Sequence, residues 1–193
     1  MNALTQIITQ QLAGGAVSKI AQRFGISEST ANTAVQMAVP LILAAMARNA
    51  ANPEGAASLH QAVAQDHDGS IFNNLMGYLN NPQSANGAGI VGHVFGGQQA
   101  TVQNNLAQAT GLDQGSAAGV LETVAPLVMG ALGQTQQQSG FDADGLSNML
   151  NAQQQQAEAR EPGVMGMLGS MLDQNKDGNA MDDLQRMAAS FFK

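Results

Sequence analysis

One segment of this chain is written twice, and that repetition limits the possible folds more than any other feature. Residues 25–47 read GISESTANTAVQMAVPLILAAMA, and residues 111–133 read GLDQGSAAGVLETVAPLVMGALG. At a constant offset of 86 residues, Gly25 aligns with Gly111, Ala31 with Ala117, Pro40 with Pro126, Leu41 with Leu127 and Ala45 with Ala131. Most other pairs exchange one apolar residue for another, as Val35 with Leu121, Ile42 with Val128 and Met46 with Leu132. The match extends backwards, since Leu4, Ile8 and Ile20 align with Ile90, Val94 and Leu106. An ungapped register over that length implies two structurally equivalent helical units, because insertions would accumulate if the register were unconstrained.

The apolar spacing assigns the secondary structure. Leu4, Ile7, Ile8 and Leu12 fall on one helical face, and Gly14 and Gly15 end that helix. A second helix carries Val17, Ile20 and Phe24 inward and stops at Gly25. Ser27 is placed to cap a third, with Glu28 favourable in its first turn. Pro40 then falls inside the helix, where it removes a hydrogen bond and bends the axis, and Pro126 repeats the arrangement. Further helices are expected near residues 53–64, 71–79 and 145–151, with a Pro/Asn/Gly-rich break at 80–89. The expected organisation is all-α. It comprises a first helical half at 1–88, a second at 89–152, a polar Gln-rich linker or frayed helix end at 153–162 and a helix-loop-helix at 163–193.

Composition narrows the function. The chain has no Cys, 14 acidic and seven basic residues and a net charge of −7, and no Lys or Arg lies between Arg48 and Arg160. Disulfides and thiolate metal sites are excluded. Nucleic-acid binding is disfavoured, because phosphate neutralisation supplies much of that affinity. No basic-then-apolar leader follows Met1, so a cytoplasmic location is expected. The longest apolar run, residues 38–47, is shorter than the ~20 residues needed to cross a bilayer, so no membrane partner is expected.

Residues 21–35, AQRFGISESTANTAV, have the form of a helix-turn-helix, with Glu28, Ser29, Thr30 and Asn32 as the groove-facing positions. None of these is basic, which makes a DNA-binding regulator the second reading behind a packing unit of two helices. His60, His67 and His93 lack ligand spacing. His93 aligns with Ile7 on a helix face, His60 stands alone on a polar helix, and Asp66-His67-Asp68 before Gly69 and Ser70 reads as a turn and cap. The glycines of GAGIVGHVFGG, residues 87–97, suit close helix approach or an exposed segment. No nucleophile, base or phosphate-binding motif is present, and a non-enzymatic chain is expected.

The most specific chemical signal lies near the C-terminus. Asp173, Asn175 and Asp177 alternate, Gly178 follows, and Asp182 and Asp183 come next. Alternating oxygen ligands followed by a turn glycine are what a calcium loop requires. Asp173, Asn175, Asp177, the Asn179 carbonyl and Asp183 are the candidate calcium ligands. Leu184 stands where an EF-hand has its bidentate Glu. Closure by the shorter Asp183 one residue early implies weak binding, on the order of 10⁻⁵ to 10⁻³ M.

The FGIS and TGLD turns, the two Pro-centred helices VPLILAAMA and APLVMGALG, the IVGHVFG segment and the terminal DQNKDGNAMDDL together resemble the YidB-like bacterial proteins, a family catalogued as domain of unknown function 937. The resemblance spans nearly the whole chain and implies an all-helical bacterial protein without an assigned activity. The expectation is a structural or protein-interaction module that self-associates and whose partner is another protein or a second copy. It would carry a calcium loop.

Overall fold

The computed structural model describes residues 3–12 and 15–160. Among them every regular element is helical: α1 (Ala3–Leu12), α2 (Ala16–Phe24), α3 (Glu28–Asn49), α4 (Pro53–Asp66), α5 (Leu75–Asn80), α6 (Gly87–Phe95), α7 (Gln99–Thr110), α8 (Gln114–Ser139) and α9 (Ala143–Arg160). Short 3₁₀ turns precede α5, α6 and α7. The all-α expectation is therefore met.

Local chemistry sets the starts and stops. Ser27 accepts the Thr30 N–H at 3.0 Å, and Asp113 accepts the Ser116 N–H at 3.0 Å. Each cap satisfies a helix-start donor that would otherwise lack a partner. Gly25 and Gly111 terminate α2 and α7 in the left-handed region, with φ of 64° and 72°. A side chain there would be strained. Pro40 and Pro126 both lie inside long helices. A proline within a helix costs about 3 kcal/mol. The loss is offset by Leu41, Ile42 and Met46 beside the first proline and Leu127 and Leu132 beside the second, all essentially inaccessible. Burying one such side chain contributes about 1.5–3 kcal/mol, so packing outweighs the broken ladder.

The bundle is built around α8, which touches α1, α2, α3, α4, α6 and α7. Helix α3 packs on α8 and is itself covered by α2, α6, α7 and α9. Apolar residues of both expected halves form one continuous core, from Ile8 through Leu41 and Leu127 to Leu150. By length and mean hydropathy α3 and α8 could each cross a bilayer, yet 67% and 72% of their most apolar stretches are buried inside this bundle.

Helix α8 also shows how its proline is accommodated. Pro126 has no N–H, so the Glu122 carbonyl four residues earlier loses its helical donor. Gly87, at the start of α6, sits so close to that oxygen that a Cβ would overlap it. The contact is therefore a Cα–H directed at the freed carbonyl. One residue on, the Tyr78 hydroxyl donates to the Thr123 carbonyl at 2.7 Å. Burial raises the Tyr78 pKa above its ordinary value, which keeps the hydroxyl protonated and able to donate.

Two elements differ from expectation. Helix α9 is longer than the short helix read at 145–151, and it runs through the Gln153–Gln156 stretch, so residues 153–160 of the expected linker are helical. Gln and Ala are good helix formers even without an apolar stripe. The expected helix at 71–79 is split into a 3₁₀ turn, Ser70–Asn74, and α5. There Asn74 caps α5 by accepting the Gly77 N–H at 3.1 Å.

Candidate functional site

A groove opens where α4, the end of α8 and the α8–α9 turn converge. It has a volume of about 440 Å³ and is lined by apolar Val63, Ala64 and Phe141 and by polar His60, Asp68, Gln136, Gln137 and Asp142. The close approach of its walls depends on Gly133 of α8, where a Cβ would overlap the His67 carbonyl oxygen. Gln137 Nε2 adds a hydrogen bond of 3.0 Å to the Asp68 carbonyl. Together they hold the α4–α5 turn against α8.

His60 fixes the opposite wall, correcting the expectation that it stands alone. It is half-buried, and its Nε2 lies 3.1 Å from the Phe141 carbonyl and 2.8 Å from the Gln136 side-chain amide. A single ring nitrogen cannot donate to the first and accept from the second at once. Either Nε2–H donates to Phe141 while the amide presents its oxygen, or bare Nε2 accepts from the amide. Both arrangements tie α4 to the end of α8. His60 and Phe141 are 81 residues apart, so no local pattern could have disclosed the pairing.

Both rim carboxylates are held by backbone. Asp68 Oδ1 accepts the Ser70 N–H at 2.9 Å, making the expected turn, while the 3₁₀ turn that follows starts at Gly69 without a side-chain cap. Hydrogen bonds from Ser70 keep its pKa below the ordinary carboxylate value. Asp142 Oδ1 accepts the Gly145 N–H at 2.9 Å and starts α9. His67 points to no ion site. Desolvation lowers its pKa, outweighing the opposing charges of Asp66 and Asp68. His93 lies on helix α6, as read from its repeat position, and is exposed, whereas Ile7 at the matching place in α1 packs against the core.

The turn read as a helix-turn-helix joins α2 to α3 and leaves Glu28, Ser29 and Asn32 exposed. Arg23 nearby lies over the Phe24 ring at 5.9 Å from its centroid. The glycines of α6 divide between the two roles considered for them. Gly87 is buried against α8, whereas Gly89 is exposed. The candidate calcium ligands Asp173, Asn175, Asp177, Asn179 and Asp183 lie outside the described residues. Among the described residues no group of three His, Cys, Asp or Glu side chains could hold a metal ion.

Fold and groove together define a single-core all-helical bundle with one wall of an open cleft on its longest helix. The chain belongs to the family described as bacterial protein of unknown function (DUF937), whose model matches residues 6–136. That match takes in both Pro-centred helices and most of the groove, and it ends before the terminal acidic loop that contributed to the resemblance. No curated protein and no solved structure is significantly similar to the chain.

Proposed function

We propose that this protein is a non-enzymatic protein-interaction module. The groove at the α4–α8–α9 corner carries the reading, because a concave surface with an apolar floor and a polar rim suits a side chain presented by another protein. A groove-filling Ala64→Phe exchange, at an exposed position, tests it. Proteins retained by the immobilised parent chain should be lost from the variant, and unchanged retention would remove the groove from the function.

The module also self-associates through small-residue helix surfaces such as the outward side of α6, where Ala88, Gly89 and His93 are exposed. Light scattering at high micromolar concentration should give a mass above the monomer, and a monomer throughout would overturn this part. We read α1–α3 and α6–α8 as copies of one unit. The matched caps, glycine stops and prolines support that origin.

The terminal loop is assigned to weak calcium binding through Asp173, Asn175, Asp177, Asn179 and Asp183. Binding only the folded form raises stability by mass action. Millimolar calcium should therefore raise the unfolding midpoint, and Asp173→Ala with Asp177→Ala should abolish the rise. A DNA-binding regulator is the competing reading for the exposed start of α3. Salt-dependent retention on DNA would favour it, although Glu28 and the uncharged Ser29 and Asn32 offer phosphates no cation.

A further inference from the structure

The charge around the groove specifies its occupant more closely than its shape does, and we infer that it receives a lysine or arginine side chain from a basic segment of a different protein. The inference rests on the interaction-module reading. Helix α4 ends at Asp66 and α8 ends at Ser139, and neither has a basic residue in its last turn. Each helix C-terminus presents about half a negative charge in its unpaired carbonyls, and residues of both final turns line the cleft. To these dipoles the rim adds the carboxylates of Asp68 and Asp142, held in place by the Ser70 and Gly145 N–H groups. Asp142 is in part offset by the positive N-terminus of α9, so Asp68 and the two C-termini carry most of the negative field. No Lys or Arg lines the groove.

The floor explains why the cation should arrive on a carbon stem. Val63 is fully buried beneath the surface, and Ala64 and Phe141 flank it. The accessible apolar surface is that of Ala64 and Phe141, and it suits the methylenes of Lys or Arg while the charged head reaches the rim. A bare metal ion fits less well, because only two carboxylates line the cleft and each commits an oxygen to backbone. A second copy, with no Lys or Arg between Arg48 and Arg160, has few cations to present to this groove, whatever contact copies make through α6. A basic partner therefore matches better than a second copy.

The test uses the ¹⁵N-labelled full chain and three probes: acetyl-Leu-Lys-Leu-amide, the same peptide with norleucine for Lys, and hexylammonium. The Lys peptide should shift the amide signals of Ala64, Asp68, Gln137 and Gly140 saturably. The norleucine peptide, which keeps the stem and loses the charge, should bind at least about fivefold more weakly. Asp68→Asn with Asp142→Asn should weaken the Lys peptide similarly, since Asn retains the oxygen that accepts from Ser70 and Gly145. Ala64→Phe should block the site without changing charge, and circular dichroism would verify that both variants fold. Equal binding of the two peptides, or no saturation by about 10 mM, overturns the inference. Hexylammonium binding as tightly as the Lys peptide would mark a small-amine site and overturn the protein-partner assignment. Loss of lysate partners on Ala64→Phe without any peptide response would sink the cationic occupant and leave the interaction module standing.

Discussion

Pro40 and Pro126 occupy corresponding places in two long helices, and the surroundings handle them differently. In α8 the proline is buried, the carbonyl it frees at Glu122 is met by Gly87, and the neighbouring Thr123 carbonyl takes the Tyr78 hydroxyl. In α3 the proline is half-buried, and the corresponding residue four positions earlier, Gln36, is exposed. The same local break is therefore met by a protein contact in the centre of the bundle, with a hydroxyl bond to the next carbonyl beside it, and lies next to an exposed residue in α3. Similar local sequence starts each helix with a side-chain cap and places a proline inside it, while position in the bundle decides what meets the carbonyl that proline frees.

The largest test of this contrast is at Gly87. Gly87→Ala drives a methyl group into the Glu122 carbonyl and should cost about 3 kcal/mol in urea unfolding, whereas Gln36→Ala, at the edge, should stay within about 0.5 kcal/mol. Comparable losses at both sites would erase the distinction between centre and edge. Tyr78→Phe should follow with a loss of about 1–3 kcal/mol, because the Thr123 carbonyl keeps no hydroxyl partner in a buried site. A loss below about 0.5 kcal/mol would mean that the helix repairs itself there.

The smallest effect separates the two caps by acid. Ser27 does not titrate, and Ser27→Ala should cost about 1 kcal/mol at any pH. Hydrogen bonds from Ser116 hold the Asp113 carboxyl below its ordinary value of 3.8. A lowered folded pKa contributes stability above the ordinary value and loses it as pH falls through the folded value. Stability of the parent chain should therefore fall more steeply below about pH 4 than that of Asp113→Ser. Parallel acid profiles would show that the carboxylate adds nothing beyond what a serine hydroxyl supplies.

Much of the architecture was legible because its signals are local. Ser27 and Asp113 announce helix starts through one side-chain oxygen each, Gly25 and Gly111 announce stops through their backbone freedom, and apolar spacing orients the faces between them. The extent of α9 was missed because residues 153–160 carry no apolar stripe, although their helix propensity favours continuation. The groove was not legible at all. Gly133 looks like any other small residue until His67 is packed on it, and His60 finds Gln136 and Phe141 only through the tertiary fold. Contacts between residues far apart in sequence leave no periodic trace.

The continuous core has a consequence for any attempt to divide the chain. Leu41, Ile42 and Met46 of α3 and Leu127 and Leu132 of α8 belong to one buried cluster, which α9 completes with Leu146 and Leu150. A fragment ending before α6 would turn the inner side of α3 out to water, and the complementary fragment would do the same to α8. Neither piece keeps a surface that water tolerates. The bundle should accordingly melt in a single cooperative transition, and an inherited pair of similar units would have become one indivisible folding unit.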